Sequence, residues 1–457
     1  MDNPVHPVDQ RLPLAQTAVL GFQHVLVMYS ACIIVPLILG AALQLSKDQL
    51  TLIINADLFA AGLATLVQCL GNRFFGIRLP IMMGVTFASI TPMIAIALNP
   101  TLGLPGVYGA IIASGIFGIL FAPIMGRLLR LFPPVVTGTV LLVIGISLMR
   151  VGIEWSAGGQ PTLANGEPNP EYGKPVYLLI SLVQLVLILG INRYARGFIA
   201  NIAVLLGVLF GFAVAFLMGD IVLDGMADKP WFAVIQPFAF GAPKFDTLAI
   251  VSMCLVMLVT MVESTGMFLA LGKIVERPTT RERLVRGLRS DGLGAVIGGV
   301  FNAFPYTSFS QNIGLVTMTG VQSRFVCIAG ALILLFLGLF PKLAFVIAST
   351  PQYVLGAAGM VMFGMVAMMG VRILSTVDFE SSRHNLLIVA TSVGIGMIPM
   401  VSPTYFHHLP EWSRVFTESG IVLSVCSALI LNLLFNGLGI ASQAAEQAER
   451  SAALNDA

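Results

Sequence analysis

The sequence predicts an all-α polytopic membrane protein with fourteen transmembrane segments in two inverted seven-segment repeats. Three observations predict it: an apolar, charge-poor composition, a lopsided placement of Lys and Arg, and local motifs that recur about half a chain apart. Hydrophobic residues are 57% of the chain and charged residues 10%, with a mean hydropathy of +0.92. Soluble domains carry roughly 45–50% and 25%. The net charge of +2 gives no argument for a nucleic-acid partner, and none is expected. Residues 1–17 lack a basic stretch leading into a short apolar core and cleavage site, so the first apolar span is expected to stay in the mature protein.

A helical crossing needs about 20 apolar residues. Windows that satisfy this fall near 18–42, 50–71, 79–98, 106–126, 134–152, 175–195, 197–219, 245–272, 287–304, 306–320, 324–348, 351–373, 384–401 and 416–437. Positively charged residues test the count, because one wrongly split span flips the side of every later loop. With the N-terminus in the cytoplasm, Arg11, Arg73, Arg78, Arg127, Arg130, Arg193, Arg196, Lys273, Arg277, Arg281, Arg283, Arg286, Arg289, Arg324, Arg372, Arg383 and Arg450 lie inside, 17 of the 24 basic residues. Lys47, Arg150, Lys174, Lys229, Lys244, Lys342 and Arg414 lie outside. The bias favours an even number of spans with both termini in the cytoplasm, and the location expected is the inner (cytoplasmic) membrane. The basic run 273–289 reads as a loop that fixes topology.

The repeats are local. Pro80-Ile81-Met82-Met83-Gly84-Val85-Thr86-Phe87 and Pro305-Tyr306-Thr307-Ser308-Phe309-Ser310-Gln311-Asn312 each run from a proline into a β-branched, aromatic and hydroxyl-rich stretch. Phe132-Pro133-Pro134-Val135-Val136-Thr137-Gly138 and Thr350-Pro351-Gln352-Tyr353-Val354-Leu355-Gly356 match in the same way. Seven spans per repeat is odd, so the halves take opposite orientations. Windows 79–98 and 306–320 are short, and such interrupted segments at matching positions point to a transporter's midplane site. Each is expected to begin as extended chain and continue as a half-helix whose freed backbone groups face a shared cavity.

Polar side chains inside these spans need partners. The adjacent amides Gln311 and Asn312 cost several kcal/mol each in hydrocarbon unless satisfied, which implies a polar cavity. Glu263 lies in the last third of a long apolar span, where a carboxylate must face a cavity, pair, or take up a proton. It also suits a flat heterocycle, accepting two N–H bonds. Asp291 begins a glycine-rich span, where it reads as a helix cap, as an ion pair with Arg286 or Arg289, or as a coupling or structural group in the site. Gln23-His24 sits within the first span, and His24 there organises the site by hydrogen bonds or touches the ligand. Thr86 and Phe87 occupy the position that the repeat matches to Gln311 and Asn312, with Phe87 placed to stack on a planar ring. Asp57 and Gln68 read as packing partners. The five cysteines stand singly, without metal-ligand spacing, and read as small core residues. No metal or other cofactor is expected.

Gln311-Asn312-x-Gly314-x-x-x-x-Thr319-Gly320 resembles the signature of the nucleobase/ascorbate transporters, also called nucleobase:cation symporters. Gln23-His24 resembles their first-span motif, and Glu263 and Asp291 fall where that family keeps its carboxylates. The resemblance covers almost the whole chain. It implies a core domain (18–126 and 245–348) and a gate domain (134–219 and 351–437), a homodimer, and proton-driven transport by alternating access. It further implies that Glu263 and Gln311 are the main purine-binding side chains, that Phe87 stacks on the ring, and that Asn312, His24 and Asp291 tune affinity and coupling.

Substrate choice follows the same comparison. Uracil transporters tend to have Glu where Gln311 stands, and the ascorbate branch has Pro. Gln311-Asn312 resembles the xanthine and urate branch, in which an amide supplies donor and acceptor to a dioxopurine edge. Thr86 and Met267 look more like urate transporters; Gly320 counts the other way. The pattern favours urate, then xanthine, with uracil or another nucleobase as the alternative. A related-fold transporter of sulfate or bicarbonate is disfavoured, because no Lys or Arg lies mid-span within 80–98 or 306–320 and Glu263 repels an anion. A membrane enzyme is disfavoured too: H-E-x-x-H, G-x-S-x-G and P-loop motifs are absent, and His407-His408 lacks metal-ligand partners.

Overall fold

The computed structural model describes residues 5–125, 131–163, 166–380, 382–410 and 413–437, so Arg127, Arg130 and Arg450 of the charge pattern lie outside the described residues. Helices dominate. Among the described residues eight are long and apolar enough to cross a membrane, or nine when Arg324–Leu337 and Pro341–Ala348, bent by 82°, count as one broken span. In chain order the principal helices are α1 (Leu14–Ala42), α2 (Lys47–Leu70), α3 (Ile90–Ala97), α4 (Gly103–Phe121), α5 (Pro134–Ser156), α6 (Pro175–Tyr194), α7 (Ala203–Met218), α8 (Thr247–Ile274), α9 (Arg281–Val300), α10 (Ser310–Thr319), α11 (Arg324–Leu337), α12 (Pro341–Ala348), α13 (Gln352–Leu374), α14 (Arg383–Val401) and α15 (Gly420–Asn436).

Two three-residue strands interrupt the helices. Strand β1 (Met83–Val85) pairs antiparallel with β2 (Tyr306–Ser308), in the register Met83↔Ser308, Gly84↔Thr307 and Val85↔Tyr306. The extended-then-helical reading of windows 79–98 and 306–320 is what the chain adopts. The ladder continues past both ends, with Thr86 N–H donating to the Pro305 carbonyl and Phe309 N–H to that of Met82, each at 3.0 Å. Backbone groups that would otherwise sit unpaired deep in the molecule are satisfied this way. Only glycine fits at position 84, since a Cβ there would overlap the Phe309 ring.

Helices from the two halves of the chain pack on one another through small residues. Gly115 of α4 and Gly292 of α9 face each other: a Cβ on either lies 2.6 Å from the other's carbonyl oxygen. Backbones approach closely where lipid gives no hydrophobic drive. Helices α5 and α13, each 23 residues long, start from the matched prolines Pro133 and Pro351 and make the most extensive helix contact in the fold. Polar side chains cap several helix starts: Ser46 with Gln49 forms a capping box on α2, Asp246 accepts from Leu248 and Ala249 on α8, and Thr280 caps α9.

A short turn, Pro7–Asp9, docks ahead of α1 with Val8 buried in a small core. Asp9 bridges Arg277 at 2.8 Å and Arg324 at 2.7 Å, and Arg324 also donates to the Cys69 and Leu70 carbonyls at the end of α2. Burial pushes the Asp9 carboxyl up, but the two guanidinium groups outweigh it and hold the group below its ordinary 3.8. A depressed folded pKa stabilises above the unfolded value and is lost as pH falls through the folded one. Asp9→Asn is therefore expected to lower the melting temperature by a degree or two near neutral pH, with the gap closing below about pH 3.8, as a partly exposed pair allows. Thermal melts of both proteins in detergent at pH 7 and pH 3 check it.

Candidate functional site

Helices α3 and α10 each begin just beyond a strand of the β1–β2 pair, so their first N–H groups, the positive ends of two helix dipoles, converge on the strand crossing. Neighbouring helices clamp the crossing. Asp57 of α2 accepts from the Tyr306 hydroxyl at 2.8 Å, and Thr65 accepts from Met83 N–H at 3.0 Å. Ser264 of α8 meets the Thr307 hydroxyl at 3.1 Å and accepts from Ser308 N–H at 3.4 Å. Placing Ser264 on β2 turns its neighbour Glu263 toward the space beside the strands.

That space is a cavity of about 390 Å³. Val85, Phe87 and Ala88 line it from the first broken segment, 307–311 from the second, Glu263 from α8, Leu141 and Ile144 from α5, and Met365, Met368, Met369 and Arg372 from α13. Glu263 makes no hydrogen bond to any described residue. The Gln311 amide is exposed to the cavity and accepts only from the Ser310 hydroxyl, at 3.2 Å. The Phe87 ring meets Phe363 of α13 edge to face, centroids 5.9 Å apart.

The structure therefore brings Glu263, Gln311 and Phe87 of the sequence candidates to one cavity wall, while the five others stand behind it. Asn312 is fully buried, and its amide donates to the His24 carbonyl at 2.9 Å and meets His24 Nδ1 at 3.0 Å. One bond pair thus joins α10 to α1. Thr86 is buried and its hydroxyl accepts from Ala88 N–H at 3.4 Å, capping the turn before α3. Met267 packs one helical turn beyond Glu263 into the core that holds Val8. Asp291 corrects the helix-cap reading: Thr280 caps that helix, and Asp291 lies ten residues into α9, fully buried. It is paired with neither Arg286 nor Arg289 among the described residues; Gln68 Nε2 donates to its Oδ1 at 3.1 Å, and Oδ2 has no partner there. Gln68 also donates to the Gly287 carbonyl and accepts from Ile77 N–H, tying α2, α9 and the approach to β1 together.

Arg372 and the α13 methionines were missed. Arg372 sits more than a hundred residues from Glu263 in the chain and reads from sequence as one more inside charge. The closeness of α13 to the strands is a tertiary fact. A cation near the mouth of the cavity also tempers the argument against anionic ligands.

A family model described as Permease family (Xan_ur_permease) matches residues 15–405. The chain belongs to this permease family. Among relatives, the uric acid transporter UacT of Escherichia coli is 51% identical over 437 residues, covering 95% of this chain and 89% of the relative. The xanthine permease of Bacillus subtilis is 43% identical, covering 95% and 97%, and the uric acid permease PucJ of the same organism is 44% identical, covering 91% and 92%. Among solved structures, the transmembrane domain of the cyanobacterial bicarbonate transporter BicA aligns with a TM-score of 0.56 at 17% identity, covering 93% of this chain and 98% of that one. SLC26A9 aligns at 0.60 and 11%. These last two likenesses concern the fold alone. The cavity offers a carboxylate, an amide, an aromatic face and two helix N-termini, a set whose donors, acceptors and stacking face complement in kind a flat heterocycle bearing N–H donors and carbonyl acceptors.

Proposed function

We propose that this permease carries oxidised purines, urate or xanthine, across the bacterial inner membrane in symport with protons, by alternating access. The observation that carries the reading is that Glu263, Gln311 and Phe87 line one cavity at the crossing of two broken segments, in a chain 43–51% identical to urate and xanthine carriers. Glu263 accepts from ring N–H groups, Gln311 reads a carbonyl and its adjacent N–H, and Phe87 stacks on the base. Asn312, His24, Thr86 and Met267 hold these groups in place from behind. Glu263 and Asp291 are the carboxylates on which a coupled proton rides, with His24 hydrogen-bonded nearby. Protonation lowers the cost of moving an occupied site through the membrane.

Fourteen spans in two inverted repeats, with both termini cytoplasmic and two copies forming a homodimer, complete the proposal. Each of the fourteen sequence windows overlaps a helix, a strand-helix unit or a broken helix pair, which supports the count. The grouping into core (18–126, 245–348) and gate (134–219, 351–437) is supported by packing: α4 lies on α9, α2 on α11, and α5 on α13 and α15. The cavity lies between the two groups, so relative movement exposes it to each side in turn. Fold likeness to a bicarbonate transporter does not favour bicarbonate, since the unpaired Glu263 faces the cavity.

Uptake of labelled urate, xanthine and uracil in cells lacking their own permeases, with and without a protonophore, tests the reading. Protonophore-sensitive accumulation of unaltered urate or xanthine is expected; accumulation of uracil alone would overturn the substrate assignment. Gln311→Glu replaces an amide donor by a second acceptor, so it is expected to weaken urate and xanthine about tenfold relative to wild type at equal membrane abundance, one mismatched hydrogen bond being worth about 1.4 kcal/mol. Competition uptake with a panel of purines and uracil measures it.

A further inference from the structure

The elements that line the central cavity continue into two others. Along α5, Leu141 and Ile144 face the central cavity, whereas Ser147, Arg150 and Glu154 line a second, of about 290 Å³. Along the first broken segment, Phe87 and Ala88 give way in the same sense to Ile90, Thr91 and Ile94. A third cavity, of about 440 Å³, shares Ala41, Trp155 and Gln160 with the second. The three stand in series, with the turn at Phe87 dividing the first from the rest.

We propose that the junction of the second and third cavities, at Trp155 and Gln160, is a further binding site for the same class of flat, amide-bearing heterocycle, reached from the side opposite the central cavity's Arg372 mouth. This rests on the purine reading above. Trp155 is 3% exposed yet walls both cavities, and its indole N–H makes no hydrogen bond to any described residue. Gln44, Gln160 and Gln352 line the third cavity, the first two exposed and the third half-buried, and their side-chain amides likewise bond to no described residue. Polar groups at cavity walls that no described residue engages are available to a ligand or to water. An amide supplies donor and acceptor together, and an indole offers a stacking face and a donor. The charges nearby are already engaged, Arg150 with Glu154 at 2.7 Å and Lys47 with the Val222 carbonyl at 3.0 Å, which favours a neutral or singly charged ring over a polyanion. Such a site concentrates the base ahead of the turn at Phe87.

The test uses the full chain, with labelled xanthine and urate as probes. In Glu263→Gln protein, saturable binding is expected to persist, about tenfold or more weaker than wild type, and to vanish when Gln160→Leu and Gln352→Leu are added. In cells, the Gln160→Leu/Gln352→Leu protein is expected to raise the uptake KM about tenfold while efflux from preloaded cells keeps its wild-type KM, which also shows that the variant is folded. Loss of all saturable binding in Glu263→Gln protein, or an unchanged uptake KM in the double variant, would overturn the outer site while leaving the transport reading intact. Wild-type protein that neither binds nor carries either probe would overturn both.

Discussion

Glu263→Gln is expected to abolish uphill accumulation of urate and xanthine while the protein still inserts and folds. The side chain faces the central cavity and bonds to no described residue, so the isosteric amide leaves no orphaned partner behind. What it removes is the charge. A hydrogen bond to a charged group contributes about 1.5–3 kcal/mol, which is roughly ten- to a hundredfold in affinity for a ligand that donates two N–H groups. Because an amide takes up no proton in the physiological range, residual movement becomes insensitive to a protonophore when Glu263 carries the coupled proton and stays sensitive when Asp291 carries it. Uptake with and without protonophore, together with membrane abundance and elution profile, measures this. Proton-driven accumulation at the wild-type level would show that neither recognition nor coupling passes through this carboxylate.

Tyr306→Phe is expected to reduce transport through structure, by weakening the strand pairing that builds the cavity. Tyr306 is fully buried in β2, and its hydroxyl donates to the Asp57 carboxylate at 2.8 Å and to the Asp57 carbonyl at 3.0 Å. Asp57 is 1% exposed, and no other side chain among the described residues donates to it. Deleting the hydroxyl strands a buried acceptor at a cost of about 1–3 kcal/mol, more if it is charged. Removing both partners with Asp57→Ala/Tyr306→Phe is expected to recover part of the loss, with a coupling of about 0.5–3 kcal/mol between the two sites. Thermal stability of the two single variants and the double variant closes the cycle; simple additivity would mean that the pair does not hold the strand.

Much of the central site was legible because polar residues are rare in apolar spans and each demands a reason. Glu263 and Gln311 stand out in that way, Phe87 stands out through the repeat position matched to Gln311 and Asn312, and the proline-led segments mark where the chain leaves the helix. Less legible was which polar residues reach the cavity and which brace it. Asn312 stands one residue after Gln311, yet a helix turns by about 100° per residue, which sends it toward His24 and away from the cavity. Asp57 reads in sequence as a packing partner with no evident task, because the strand it holds lies 249 residues away. Arg372 and the outer amides could not be told from loop residues. Their placement follows from helix packing that no local pattern records.

The β1–β2 pairing also bears on how the molecule is made. Residues 83–85 leave the ribosome long before 306–308, and over that interval β1 has no strand to complete its backbone bonds. An unfinished chain must shelter those amides in the translocon, in a chaperone or in water until the second half arrives. Productive assembly of this protein is thus a late event, and a chain truncated before Pro305 should be cleared by quality control instead of persisting as a half-built carrier.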